Sequence, residues 1–391
     1  MERIYLDNAA TSWPKPETVY LAVDRYQRES GAAVGRGAYR EAVEVERLVS
    51  RVRQGIAELI GAGDSKRIAF AVNCTAALNL AIHGLLQSGD HVVTSCVEHN
   101  SVLRPLRHLA EAGVIHVTWV GCNEKGIIDP DDVRRAISSH TRLVAISHAS
   151  NVTGAIQPVA EIGRIAREHD VFLLLDAAQT AGHLPIDVEA IGVHLLAASG
   201  HKGLLGPLGT GFLYVASGVE TRLNCIVQGG TGTTSEVDRQ PETLPDKYEA
   251  GNLNAPGLVG LEAAVRYIAE RGQETLLAHE RKLTIQLIQG LRQIEGLRLY
   301  GPMETADRLG VVSVTLDGYD PQELAAMLDS AYRIQARAGL HCAPRMHRAL
   351  GTLETGGTLR LSVGPFNTAA QIAAVIDALS EVAASRPAVG P

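Results

Sequence analysis

Aromatic side chains are scarce, at 4% of the 391 residues, so any core must be aliphatic. Cysteine is scarce as well. Cys74, Cys96, Cys122, Cys225 and Cys342 are odd in number, widely spaced and without a CxxC pair. That pattern argues against a disulfide framework or a zinc finger. The longest stretches without Asp, Glu, Lys or Arg, such as 68–89 and 143–160, are broken by His, Asn, Gln, Ser or Thr. Neither reads as a membrane span. The start, MERIYLDNAA, has no apolar signal-peptide run. The expectation is a soluble cytoplasmic protein. Positive charge is also short: 36 Lys plus Arg stand against 43 Asp plus Glu, a net charge of -7. No global field would draw nucleic acid or an anionic membrane. There is no GxxxxGK[ST], no strand followed by GxGxxG, no HExxH and no GxSxG. Those absences speak against a P-loop, a dinucleotide fold, a zinc peptidase and a serine hydrolase.

What is present is ordinary globular composition, 46% hydrophobic and 20% charged, on a chain long enough for two or three domains. From about 45 to 215, short apolar runs alternate with amphipathic stretches. Strands are predicted at 67–72, 91–95, 114–120, 143–147, 171–175, 195–198 and 211–215. Helices are predicted at 41–60, 75–86, 100–112, 130–137 and 159–169. Apolar strands between amphipathic helices predict an α/β fold with a largely parallel sheet buried on both faces. A helical stretch at 255–294, interrupted near Gly272, leads to a different pattern. Strands at 297–300, 310–316 and 333–337, with helices at 321–330 and 368–384, read as a smaller α+β domain. The polar segment 228–247 reads as a surface loop.

The chemistry-bearing residues cluster at predicted strand ends. Asp176 closes the run Phe172-Leu-Leu-Leu, and Ser199-Gly-His201-Lys202 follows the next strand. In a parallel sheet both sites face one crevice. A lysine amine and a strand-end carboxylate suit pyridoxal 5'-phosphate, which takes an amine at its aldehyde and a carboxylate at its ring nitrogen. The bland alternative is an ordinary strand end beside a flexible loop. Asn73-Cys74-Thr75-Ala76 joins a strand to a helix, so its amides and the Thr75 hydroxyl suit a phosphate; a plain N-cap is the alternative. His99 follows a strand and could stack on a ring or exchange a proton, although a lone His is more often structural. Cys342 lies between Gly339 and Pro344 in a predicted turn. There it is an accessible nucleophile or a small buried hydrophobe, which is how the other four cysteines read. A metal set of His341, Cys342 and His347 lacks paired spacing, and no metal is expected. Arg360, on a strand pattern, either grips a carboxylate or lies solvated at an edge.

Together with Asn8-Ala-Ala-Thr11, Glu98-His99, Ser150-Asn151-Val-Thr-Gly154, Asp176-Ala-Ala-Gln179 and Arg337–Ala343, these motifs resemble the cysteine desulfurases of the class V aminotransferases. The likeness is to the branch with a short cysteine loop, which includes sulfur-mobilisation desulfurases and selenocysteine lyases. The resemblance implies the fold type I of pyridoxal-phosphate-dependent transferases. It divides the chain into an N-terminal segment (1–15), a large domain (16–255) and a long helix with the small domain (256–391). It implies that Lys202 binds the cofactor covalently and moves protons at the substrate Cα. Asp176 pairs with the ring nitrogen, Gln179 with the ring oxygen, and His99 stacks on the ring and takes part in acid–base steps. Thr75, Ser199 and His201 hold the phosphate, and Ala76 and Asn151 also bind the cofactor. Asn151, Arg360 and Ala10 contact the substrate. Cys342 takes the sulfur of L-cysteine as a persulfide, releasing L-alanine, and passes it to an acceptor protein or small thiol. A homodimer is implied, in which residue 252 reaches the partner's phosphate. Selenocysteine lyase, another C–S lyase or an epimerase is the alternative. Two departures stand out: Tyr39 where many relatives have histidine, and Asn252 where they commonly have threonine.

Overall fold

Short runs of Val, Leu, Ile and Ala, without polar alternation, form the interior strands. A computed structural model describes residues 2–35 and 37–385. Met1, Arg36 and residues 386–391, which the sequence-based boundaries took in, lie outside the described residues. In chain order the strands are β1 (Ile4–Tyr5), β2 (Ile68–Ala71), β3 (His91–Ser95), β4 (His116–Val120), β5 (Thr141–Ser147), β6 (Phe172–Asp176), β7 (Leu195–Ser199) and β8 (Gly211–Val215). They continue as β9 (Leu297–Tyr300), β10 (Val311–Leu316), β11 (Ile334–Gln335), β12 (Arg337–Gly339) and β13 (Thr358–Ser362).

Seven strands form one sheet in the order β2-β8-β7-β6-β5-β3-β4. Strand residues alternate between two cores. Val144, Ile146, Leu173 and Leu175 pack into one, and Leu143, Ala145 and Leu174 into the other. Side chains of successive strand residues point to opposite faces, so a sheet covered on both sides needs an unbroken apolar run. The sheet is parallel except at β8, which runs antiparallel to both β7 and β2. Residues 200–210, between β7 and β8, contain no helix, so the chain turns back rather than crossing over.

A second, antiparallel sheet has the order β12-β13-β10-β9. Helices Gln273–Leu291 and Ala369–Ala384 cover it through Leu287, Leu291, Ile372 and Leu379. The helical stretch predicted at 255–294 is two helices, Ala255–Arg271 and Gln273–Leu291. Gly272 breaks them at φ +81°, a conformation that L side chains rarely adopt. The first packs on helices Glu17–Arg25 and Arg40–Leu59, and the second turns to the small sheet. The N-terminal segment joins the same region, with β1 parallel to β11 and Asp7 bridged to Ser362.

Several expectations shift. The predicted strand at 333–337 divides into β11 and β12, which belong to different sheets, after Arg333 turns into the left-handed region at φ 56°. Asp176 is the last residue of its strand rather than the residue after it. Helices Glu17–Arg25 and Pro344–Leu350 and the two-residue β1 had no recognisable sequence pattern. No helix among the described residues is long and apolar enough to cross a membrane.

Because β6 is sealed on both faces, Leu175→Ala should leave a cavity and destabilise the protein by about 2–5 kcal/mol. Urea unfolding should show a lower midpoint, and an unchanged midpoint would contradict the two-core packing.

Candidate active site

The carboxyl ends of β3, β5, β6 and β7 converge on one edge of the large sheet, as parallel pairing requires. A cavity of about 270 Å³ opens there. Ser147, Asp176 and Ser199, the last residues of β5, β6 and β7, line it, and His99 and Lys202 enter from the turns that follow β3 and β7. Gly211, at the start of β8, lets Asn73 approach. A Cβ there would lie 2.7 Å from the Asn73 carbonyl carbon and 2.8 Å from Ala198 O.

Helix Cys74–Leu85 begins at the cavity wall. Asn73 caps it by accepting the Ala76 amide at 2.9 Å. The first-turn amides of Cys74 and Thr75 have no partner inside the helix, which suits an anion. Thr75 Oγ1 lies 2.7 Å from Ser101 Oγ. The Nδ1 atom of His201, on the same wall, is buried without a hydrogen-bond partner.

Asp176 is buried, and its Oδ1 accepts the Ala178 amide at 2.9 Å and the Cys74 thiol at 3.5 Å. Burial, reinforced by Asp176, holds the Cys74 thiol well above its ordinary pKa, so it stays a neutral donor. The ammonium of Lys202 is enclosed even though part of its side chain is accessible. Burial lowers its pKa, and the Asp176 carboxylate opposes that shift. His99 is pushed down to about 4, mainly by burial, so its ring is neutral near pH 7. Its Nδ1 accepts the Ser101 amide at 3.1 Å, which places the ring proton on Nε2.

The N-terminal segment closes over the lysine turn. The His201 carbonyl faces Ser12 N at 3.0 Å, Thr11 Oγ1 at 3.1 Å and Lys15 Nζ at 3.0 Å. Burial pushes Lys15 down to about 8. Gln179 donates to Ala9 O at 3.1 Å. From the small sheet, Arg360, 1% exposed, donates to Asp7 Oδ1 at 2.7 Å and to Asn151 O at 3.1 Å, and its Nε has no partner.

The cysteine turn is tethered from both sides. Asn151 Nδ2 donates to His341 O at 2.6 Å, and Asn100 N to Cys342 O at 2.7 Å. His341 and Cys342 are both left-handed, at φ 48° and 60°, a strained arrangement for non-glycine residues. Burial, then Arg360, pushes the His341 ring down to about 2, and its Nε2 bonds Thr358 O at 3.1 Å. Arg337, which lines the cavity, donates to Cys342 Sγ at 3.7 Å.

Thr75, His99, Asn151, Asp176, Gln179, Ser199, His201, Lys202, Arg360 and Ala10 therefore share one cavity. Three predicted residues do not line it. The Ala76 amide is taken by Asn73, and Ala76 faces a separate apolar groove. Asn252 is exposed on that same groove. Cys342 is half-buried and reaches the cavity through Arg337. Arg360 is neither free nor at a solvated edge, since Asp7 and Asn151 already occupy two of its donors. Tyr39 is exposed and lies outside the cavity. Sequence reasoning missed Asp7, and it took Cys74 for a plain buried hydrophobe. The one available signal for Cys74 was its place at the first turn of a helix after a strand.

The profile of the family described as aminotransferase class-V matches residues 4–375. The chain belongs to that family. Among class V relatives, a probable cysteine desulfurase of Methanothermobacter thermautotrophicus is 38% identical, over 98% of this chain and 95% of its own. One of Pyrococcus abyssi is 34% identical, over 98% and 95%. The apo cysteine desulfurase of Thermococcus onnurineus NA1 superposes with a TM-score of 0.91 at 33% identity, covering 98% of this chain and 95% of that one. The Escherichia coli cysteine desulfurase CsdA, solved as its S-sulfonic acid, gives 0.88 at 29% identity, covering 98% and 94%. The expected α/β class with a mostly parallel sheet is the fold this class V protein shares with them.

The tether on His341 is open to test. Asn151→Ala removes one hydrogen bond, worth about 1 kcal/mol, so the turn should open about fivefold more often. Peptide-resolved alkylation by iodoacetamide should then label Cys342 about fivefold faster. An unchanged rate would show that Asn151 does not hold the turn.

Proposed function

We propose that this class V protein is a pyridoxal-phosphate-dependent cysteine desulfurase. It converts L-cysteine to L-alanine and leaves the sulfur as a persulfide on Cys342. The carrying observation is that the Lys202 amine and the Asp176 carboxylate line one cavity whose wall includes an open helix start. The cavity, just below the usual ligand-site range, suits a small flat ring bearing a phosphate. The unpartnered Nδ1 of His201 is a polar atom such an anion would satisfy.

When bound, pyridoxal phosphate supplies an electron sink for charge developing at the substrate Cα. The chain's own groups do the rest. Thr75, Ser199, His201 and the first-turn amides would hold the phosphate, and Asp176 and Gln179 would hold the ring nitrogen and oxygen. Burial lowers the pKa of Lys202, which suits it to take a proton at Cα and return it. His99, neutral, would lie against the ring and exchange a proton through its imidazole. Arg360, through the donors that Asp7 and Asn151 leave free, orients the substrate carboxylate with Asn151 and Ala10 beside it. Cys342 Sγ then attacks the substrate sulfur. The C–S bond breaks, an S–S bond forms, and the proton lost by Cys342 is matched by one gained at the alanine methyl group. A protein or small thiol accepts the sulfur.

Two further elements belong to this reading. One is a homodimer. Val72 and Val227, each 60% exposed, and Ile226, 45% exposed, line the apolar groove that carries Asn252, and a second copy would cover them. The other is a reducing, cytoplasmic setting, in which the five free cysteines stay thiols. The relatives' names favour desulfurase over selenocysteine lyase, another C–S lyase or an epimerase.

Incubation with L-cysteine should add one sulfur atom to the Cys342 peptide in mass spectra. Cys342→Ala should keep the cofactor's visible absorbance and lose sulfur delivery. Undiminished alanine formation in that variant, without added reductant, would overturn the persulfide role. Lys202→Ala should lose the covalently held cofactor, read as release of pyridoxal phosphate on gel filtration, and retention would contradict the role given to Lys202.

A further inference from the structure

Glu98 has no part in the chemistry above. It is fully buried in the turn between β3 and His99. Ser95 Oγ donates to its Oε1 at 2.5 Å, and Oε2 lies 2.6 Å from Ser147 Oγ. Ser95 ends β3 and Ser147 ends β5, in register with Asp176 of β6. The carboxyl thus bridges two strand ends that frame the cavity, and the next residue in the chain is His99. Its partners are two serine hydroxyls and the Ser147 amide, none of them a cation. A buried carboxylate without a cation is costly, and such groups take a proton instead. Val97 N donates to Ser95 Oγ at 3.0 Å, which directs that hydroxyl's proton to Oε1 and leaves Oε2 to share the acid proton with Ser147.

We propose that Glu98 is a positioning residue acting as a neutral acid: it pins the turn that carries His99 and leaves Asp176 as the one carboxylate among the described residues that line the cavity. Burial pushes the Glu98 carboxyl up to about 8, with Asp176 adding to the shift and the serine hydrogen bonds opposing it. Asp176 is the charged group that faces it. His99, next in the chain, and His148, next to Ser147, are each pushed down to about 4, chiefly by burial, and stay neutral above pH 5.

The sign of the pH dependence follows. A carboxyl whose pKa rises from 4.5 to about 8 on folding contributes its full stability below pH 4.5 and loses it as pH climbs toward 8. Thermal melts of the cofactor-free protein should therefore show the wild-type Tm falling relative to Glu98→Gln between about pH 5 and pH 8, and running parallel above. Gln keeps the hydrogen bonds and cannot ionise. At pH 7, titration with pyridoxal phosphate should place Glu98→Gln within about threefold of wild type, and Glu98→Ala at least about tenfold weaker. Parallel melts across the whole range would overturn the proposal, as would a Gln variant as weak as the Ala variant. If Glu98→Ala does not fold, the Gln melts decide alone. The positioning role rests on the cofactor reading above, but the melts need no cofactor. Failure of every form, wild type included, to bind pyridoxal phosphate would sink that reading and the positioning role, while the melts would still test the neutral acid.

Discussion

The site depends on a carboxylate held by only one of its oxygens. Asp176 Oδ1 takes a backbone amide and a thiol proton, and Oδ2 has no protein hydrogen bond among the described residues. A carboxylate fully bonded within the protein would be structural. A free one would wander between rotamers. With one oxygen anchored, the side chain keeps a fixed direction and retains an acceptor for a ligand. Parallel pairing makes this possible, because it gathers Ser147, Asp176 and Ser199 at a common edge while their strands stay dry on both faces.

The second sheet contributes through the N-terminal segment. Asp7 meets the guanidinium of Arg360, and Ser12 and Lys15 meet the turn that presents Lys202. One strap thus ties the arginine of the small sheet to the lysine of the large one. Arg360 is almost wholly buried, so losing its carboxylate partner would leave an uncompensated charge. That is far more costly than losing a surface ion pair, and it explains why so short a segment is so firmly held.

The large sheet was legible because a strand covered on both faces cannot alternate polar and apolar residues. Asp176 and Lys202 were legible because a charge at the end of such a run has one natural location. The family resemblance, not any spacing, supplied the roles expected of Gln179, Ser199 and His201. What could not be read depends on contacts distant in sequence. Asp7 and Arg360 are 353 residues apart, and no local pattern joins them. The Asn151 amide is committed to a carbonyl 190 residues away. Cys74 has the burial of a hydrophobe and acquires its hydrogen bond only because β6 ends beside it. That the Ala76 amide is already taken by Asn73, three residues earlier, could not be read either. Short pieces such as β1 and helix Pro344–Leu350 are set by what they pair with, and their own residues carry too few positions to show a period.

The doubly anchored turn at His341 and Cys342 limits reach. With its carbonyls held by Asn151 and Asn100, and with two consecutive left-handed residues, the sulfur-bearing side chain has little slack to swing outward. On the function proposed above, sulfur taken up at Cys342 would not travel on a flexible arm. On that reading an acceptor has to bring its own thiol to the rim, and delivery would be governed by the shape and length of the visitor rather than by excursions of the host.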